Sequence, residues 1–245
     1  MVEKCSVLCP RIWVEQLGGC SMIINRKTEN ELNVICDKPI IDKSCYYTSE
    51  GLWNGGLVPI KSNFKETYRI FRCAFAFLAE DNKTLLKNIS KFIEEVKNCT
   101  IEHEGFLYDL QLKSKDITPD DYENAESISL EFDVLDMYEA EKSITTKQST
   151  TINISSAKPC YANLELSAST SVISYTVTIN DTEIVVNNIK GNETVYIGSG
   201  KVIAGGKSKI NDVDIWEFPI LKPGTNKIEV NRADVDLTIK YNERW

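Results

Sequence analysis

Histidine, the side chain that most often acts as a general acid or base in enzymes, is scarce in this chain. The chain has a single histidine, His103, so a Ser–His–Asp or Cys–His catalytic group would have to use that residue. His103 lies between Glu102 and Glu104, where a predicted helix gives way to a predicted strand. Such a position is typical of a solvated surface side chain, and the sequence therefore predicts no active site.

Cysteines are the other candidate ligands and nucleophiles. They occur at positions 5, 9, 20, 36, 45, 73, 99 and 160. Metal centres use closely spaced pairs such as Cys-x-x-Cys, and the tightest spacing here is that of Cys5 and Cys9. An odd number in each half of the chain also argues against a disulfide framework. We therefore expect reduced, mostly buried thiols, and neither a metal nor a cofactor.

Two other segments partly match a phosphate-binding loop and a calcium-binding loop, but each lacks residues that the motif requires. The stretch from Gly200 to Ser208, GKVIAGGKS, has Lys201 where a phosphate-binding loop requires its first glycine, and we interpret it as a glycine-rich hairpin turn. The segment from Lys115 to Glu126 lacks the ligand spacing of a helix–loop–helix calcium site, and we expect a solvated loop. Its acidic residues are Asp116, Asp120, Asp121, Glu123 and Glu126.

The charge balance restricts the partners of the protein. Its 28 basic and 36 acidic residues give a net charge of -8, which argues against specific nucleic-acid binding and against an anionic membrane surface. The longest apolar run, from Cys73 to Ala79, is far short of the ~20 residues that a membrane helix needs. With no apolar block near the N-terminus, we expect synthesis in the cytoplasm without a secretory signal.

The first part of the chain has the pattern of an α+β domain. Apolar residues at 85, 86, 89, 92, 93 and 96 form one stripe of an amphipathic helix over about 83–97, preceded by the N-cap types Asp81 and Asn82. Alternating segments at 71–77, 106–112 and 128–134 predict antiparallel strands around it. A polar, Thr/Ser-rich stretch follows, which places a domain boundary between residues 145 and 146.

Residues 146–245 have the pattern of an all-β domain. Short alternating segments, including one with Ile173, Tyr175, Val177 and Ile179 on a single face, are separated by turn signals such as Pro223-Gly224. Strands at this spacing predict a β-sandwich of ~100 residues.

The C-terminal stretch is the most specific part of the sequence. It runs WEFPILKPGTNKIEV from Trp216 and closes with VDLTIKYNERW. This text resembles the ending of the distal tail proteins of siphophage-type bacteriophages and prophages. The resemblance rests on Phe218, Pro219, Leu221, Pro223, Gly224, Asn226, Ile228, Tyr241, Arg244 and Trp245. Apart from the resemblance, Asn226 is expected to bond the backbone of the turn that Pro223 and Gly224 fix.

The order of elements upstream extends the resemblance to most of the chain. It implies an α+β ring-forming (belt) domain over 1–145, with one helix on antiparallel strands, and a galectin-like β-sandwich over 146–245. The function it implies is structural, without catalysis: a homohexameric ring at the distal end of a phage tail in the virion. That ring would join the major tail tube protein to the tail hub and to receptor-binding or baseplate proteins, and DNA would pass through it. The first 60 residues match no part of this pattern.

A carbohydrate-binding module for a host cell-surface glycan is the alternative function. It would use an exposed tryptophan as a stacking platform, with polar side chains converging beside it. The tryptophans, at 13, 53, 216 and 245, are scattered and show no such cluster in the sequence.

Overall fold

The computed structural model describes residues 22–42, 47–52, 60–119 and 124–245 of the chain. It is mostly β-structure, and the chain divides into two units between Met137 and Tyr138. None of the described helices is both long and apolar enough to span a bilayer.

The described residues of the first unit form ten strands and two helices. The strands are β1 (Ile23–Ile24), β2 (Lys27–Thr28), β3 (Ile35–Cys36), β4 (Ile40–Ile41), β5 (Tyr47–Leu52), β6 (Ile60–Glu66), β7 (Arg69–Leu78), β8 (Asn98–His103), β9 (Phe106–Pro119) and β10 (Ala125–Glu139). Strands β5 and β6 pair with each other, and the other described strands form one sheet in the order β2-β1-β8-β9-β10-β7-β3, with β4 also on β7. The helices are α1 (Glu29–Leu32) and α2 (Asn82–Val96).

Helix α2 covers an apolar face of this sheet. The carboxylate of Asp81 accepts a hydrogen bond from the Thr84 amide at 2.9 Å, which caps its N-terminus. Its buried stripe includes Phe92, whose ring centroid lies 4.7 Å from that of Phe75 and 5.2 Å from that of Phe77. The predicted helix over 83–97 is therefore confirmed; the short helix α1 was not predicted.

The predicted loop at 115–126 is wrong for the part that the structure describes. Strand β9 continues to Pro119 and β10 begins at Ala125, so the two strands form a long hairpin. Lys113 of β9 forms an ion pair with Glu131 of β10 at 3.1 Å. Pairing with a partner strand satisfies the backbone of these polar residues, which local sequence preference could not reveal.

The second unit is built from twelve described strands. They are β11 (Lys142–Thr146), β12 (Thr150–Ile154), β13 (Cys160–Ala168), β14 (Val172–Ile179), β15 (Thr182–Ile189), β16 (Thr194–Gly198), β17 (Lys201–Ala204), β18 (Lys207–Ser208), β19 (Val213–Ile215), β20 (Ile220–Leu221), β21 (Gly224–Val230) and β22 (Val235–Tyr241). A 3₁₀ turn, Ile210–Asp212, precedes β19.

These strands form two antiparallel sheets around one core. One sheet has the order β11-β22-β13-β16-β17-β18, with β20 also on β13, and the other has the order β12-β21-β14-β15-β19. Apolar residues from both sheets, among them Leu164, Tyr175 and Ile239, are fully buried in a single cluster. This is the arrangement of a two-sheet sandwich.

Strand β11 shows why the division falls before residue 138 although the change in composition lies near 146. Ile144 of this polar strand pairs with Ile239 of β22, so the segment joins the second unit. The change in composition lies several residues beyond the division between the units, because an edge strand such as β11 needs few apolar residues.

The prediction that Ile173 lies on the buried face is wrong. The paired residues Val172 and Ile189 are buried, and the next buried pair along these two strands is Tyr175 and Val186. Two residues rather than one separate the buried pairs, and Asn188, on the partner strand, has a φ of +54°. The alternation shifts there, leaving the Ile173 side chain 83% exposed.

Candidate functional site

The turn between β20 and β21 is organised by Asn226, whose side chain is completely buried. Its Oδ1 accepts hydrogen bonds from the Lys222 amide at 2.8 Å and from Asn180 Nδ2 at 2.9 Å. Its Nδ2 donates to the carbonyl oxygens of Lys222 at 2.7 Å and Gly224 at 3.0 Å. The predicted bonding of Asn226 to the turn backbone is confirmed, and Gly224 supplies the positive φ of +88° that the turn requires.

The residues before this turn attach it to the sandwich. The Pro219 carbonyl accepts a hydrogen bond from the Ala162 amide at 2.9 Å, and Leu221 pairs with Cys160. Leu221 is buried, and Phe218 packs against the edge of the same core. After the turn, Ile228 of β21 is buried in that core as well.

The chain end is held by a buried carboxylate that the sequence analysis did not single out. Glu243, 2% exposed, accepts hydrogen bonds from the Ser155 hydroxyl and from Lys142, whose Nζ lies 3.1 Å from Glu243 Oε1. Burial alone would raise the pKa of Glu243, but these two donors lower it below its ordinary value. Lys142 also pairs with Glu139 at 2.9 Å, and its own pKa is raised, chiefly by that contact.

The last two residues complete this arrangement. The Arg244 guanidinium carbon lies 5.6 Å from the centroid of the Tyr161 ring, and the Arg244 backbone bridges to Tyr138 and Lys158. Trp245 Nε1 donates to Glu139 Oε1 at 3.2 Å. Tyr241, the last residue of β22, is buried.

The ten motif residues thus belong to two linked structures, the turn around Asn226 and the end of the chain from Tyr241 onwards. Both lie within the second unit and both meet strand β13, through Ala162 and Tyr161 respectively. Lys142 and Ser155, which complete the second structure, carry no local signal because they are distant in sequence from Glu243.

Some exposed surfaces carry apolar or basic side chains. Trp216 is 96% exposed, and Tyr161 and Ile220, which pair across β13 and β20, are also exposed. In the first unit the outer side of α2 carries Lys83 and Lys87, whose side chains are exposed.

The histidine prediction needs a correction: His103 is buried. It ends β8 in a β8–β9 hairpin, on the same face as Cys99 and Ile101, because side chains alternate along the strand. Burial lowers the pKa of His103 below its ordinary value and so favours the neutral ring.

The described thiols have the environment expected of inert cysteines. Cys73, Cys99 and Cys160 are buried and free, and burial raises the pKa of the Cys99 thiol to about 12. Within residues 22–42, 60–119 and 124–245, no three His, Cys, Asp or Glu side chains are grouped to hold a metal ion. The predicted hairpin at Gly200–Ser208 is confirmed, since β17 and β18 pair across Gly205-Gly206.

Several residues considered as candidates lie outside the described residues. They are Cys5, Cys9, Cys20, Cys45, Trp13, Trp53, Asp120, Asp121 and Glu123.

Comparison with known protein families finds a match within the second unit. Residues 155–245 match the family described as siphovirus-type tail component, C-terminal domain. This segment contains the ten motif residues, and the match confirms the resemblance to distal tail proteins of phages. No curated protein sequence matches the chain significantly.

Solved structures with the same fold extend the likeness beyond the sandwich. The SPP1 Dit protein, described as a paradigm of the hub adsorption apparatus in phages that infect Gram-positive bacteria, is similar with a TM-score of 0.69 and 11% identity, over 92% of this chain and 98% of that chain. Chains of the phage P2 baseplate in its activated conformation, with Ca and with Sr, give TM-scores of 0.51 and 0.52 at 12% identity, each over 85% of this chain and 90% of that chain. At these identities the likeness shows the fold.

Proposed function

We propose that the protein is a structural component of a phage tail tip or baseplate and has no catalytic role. It forms a homohexameric ring in the virion, with the first unit as the ring-forming belt and the second as a galectin-like domain. The ring joins the major tail tube protein to the tail hub and to receptor-binding or baseplate proteins. The observation that carries this proposal is the family match of residues 155–245, supported by a fold shared with the SPP1 Dit protein over most of the chain.

The open strands of the first unit support a role in assembly. Strand β8 pairs with β9 only as far as Gln111, and no other described strand lies beside Lys113 to Ile117 on that side. Unpaired backbone groups on a strand edge are a template for pairing with another chain. Such edges are the expected joints between neighbouring protomers, since a head-to-tail contact that closes on itself produces a ring.

The acidic balance of the first unit agrees with a conduit for DNA. Residues 1–137 contain 16 basic and 23 acidic residues. A negatively charged lumen would repel the phosphates of a passing genome rather than retain them. A ring structure with a basic lumen would contradict this part of the proposal.

The native mass of the purified protein across a concentration series tests the proposal. We expect a species of six chains of 27.7 kDa each, with no stable intermediate sizes. A protein that remains monomeric at every concentration would contradict the ring.

A carbohydrate-binding function is the second candidate, and the exposure of Trp216 is the observation that favours it. A neighbouring residue, Glu217, accepts a hydrogen bond from the Thr182 hydroxyl at 3.1 Å, which places polar groups near this position in the chain. Glycan-array binding by the wild type that is lost in Trp216→Ala would support this function. An array without any bound glycan would argue against it.

A further inference from the structure

The outer face of helix α2 is a basic surface with an exposed leucine along one side. Lys83, Lys87 and Lys91 follow one another at intervals of four residues and therefore lie along one side of the helix. Together with Leu86 and Ser90 they line a shallow depression, and Leu86 is 52% exposed. We call these five residues the lysine face.

The lysines of this face have no acidic partners among the described residues. No carboxylate of that part of the chain lies within 4 Å of Lys83, Lys87 or Lys91. By contrast, Lys97 at the end of the same helix pairs with Glu94 at 2.7 Å. Like charges four residues apart destabilise an isolated helix. The three lysines therefore do not stabilise the fold of the single chain.

The remainder of the first unit has the opposite charge. Residues 1–137 have a net excess of acidic residues although they include the lysine face. Exposed carboxylates on the sheet, such as Glu102 and Asp116, also lack ion-pair partners within the described residues. A second copy of the unit is therefore electrostatically complementary to the lysine face.

We propose that the lysine face binds exposed carboxylates of the first unit of a second copy of this chain. The contact is head-to-tail, since it joins two different surfaces, and it rests on the ring function proposed above. Leu86 lies beside the lysines and adds an exposed apolar side chain to this contact, as protein–protein contacts usually combine apolar and charged groups. An exposed leucine among the lysines contributes nothing to binding DNA phosphates, so nucleic acid is the less suitable occupant.

The experiment measures assembly of the full chain by sedimentation velocity at low and high salt. The variant Lys83→Glu/Lys87→Glu/Lys91→Glu is expected to raise the concentration of half-assembly by about tenfold or more at low salt. Wild-type assembly should weaken as salt is added. Leu86→Ala, which retains every charge, should weaken assembly by a smaller factor.

The matched control is Lys190→Glu/Lys201→Glu/Lys207→Glu, which makes the same charge change at exposed lysines of the second unit. It should assemble like the wild type, and circular dichroism should show that every variant is folded. If both triple variants weaken assembly equally, the effect is one of net charge and the inference is overturned.

Other outcomes distinguish this inference from the ring itself. A lysine-face variant that forms the ring at the wild-type concentration overturns the inference and leaves the ring intact. A wild type that never assembles overturns both. Unchanged assembly together with loss of binding to a 30-base-pair DNA duplex would assign the face to nucleic acid instead.

Discussion

The two units of this protein differ in how many of their backbone and charged groups find partners among the described residues. In the second unit two sheets enclose one core, and the chain end is fixed by Glu243 and its partners. In the first unit α2 packs against the sheet, while β9 extends beyond its β8 partner and the lysine face has no described counter-charge. The core and the chain end of the sandwich are therefore packed and hydrogen-bonded within the second unit. The first unit exposes a strand edge and lysine side chains that a neighbouring chain could pair with.

This difference explains why the recognisable sequence motif lies in the second unit although we place the assembly surfaces in the first. A buried, fully hydrogen-bonded turn tolerates few residue types, because each lost partner leaves a polar group unsatisfied. Contacts between strand edges use the backbone and therefore restrict the sequence much less.

The largest expected effect is that of Phe75→Ala, which tests whether the units are stable independently. Removing a fully buried ring that packs on Phe92 should destabilise the first unit by about 3–5 kcal/mol. Hydrogen exchange measured by mass spectrometry should show faster exchange in the first unit and unchanged exchange in the second. The control Phe75→Leu should cost much less, and equal loss of protection in both units would contradict their independence.

Asn226→Ala should have the next largest effect, confined to the second unit. It leaves the Lys222 amide and carbonyl without their partners, at a cost of about 2–3 kcal/mol. Denaturant unfolding provides the measurement, and Asn211→Ala, at an exposed asparagine, should change stability by less than about 0.5 kcal/mol. Similar results for both variants would show that the turn does not depend on Asn226.

Glu243→Gln should have a smaller effect that depends on pH. The pKa of Glu243 is lowered on folding, so its ionised form stabilises the fold above the unfolded-state pKa, and this contribution is lost as pH falls through the folded pKa. The wild type should therefore be more stable than the variant at pH 7, and the difference should shrink below about pH 4.5. Unfolding measured from pH 3 to pH 8 tests this, with exposed Glu229→Gln as control; a difference that is constant with pH would refute it.

Trp216→Ala should have the smallest effect on stability. A side chain that is 96% exposed contributes little to the fold, and we expect a change of less than about 0.5 kcal/mol. Thermal unfolding provides the measurement. A loss above 1 kcal/mol would mean that Trp216 packs within the chain, and would remove it as a surface for ligands or partners.

Much of the fold could be predicted because local patterns agreed with tertiary structure. The stripe from Leu85 to Val96 predicted α2, and alternation predicted β7 and the central part of β10. The predictions from local sequence patterns were wrong where pairing between strands overrode the local preference of the residues. Residues 115–119, which we predicted to be a loop, form part of a strand, and the alternation through Ile173 shifts opposite Asn188.

The candidate site divides in the same way. The residues around Pro223 and Asn226 are close in sequence, so their types and spacing were enough to predict a hydrogen-bonded turn. The buried cluster of Glu243, Lys142 and Ser155 joins segments about 90 to 100 residues apart, and no local pattern indicates it.

The sequence by itself determined helix α2, most of the strands, the sandwich pattern and the resemblance to phage tail proteins, because these depend on neighbouring residues. Only the tertiary structure decided that His103 is buried, that hydrogen-bond donors around Glu243 lower its pKa, and that Trp216 and the lysine face are exposed. Burial and electrostatics are set by everything that surrounds a side chain, and here those surroundings come from distant parts of the chain.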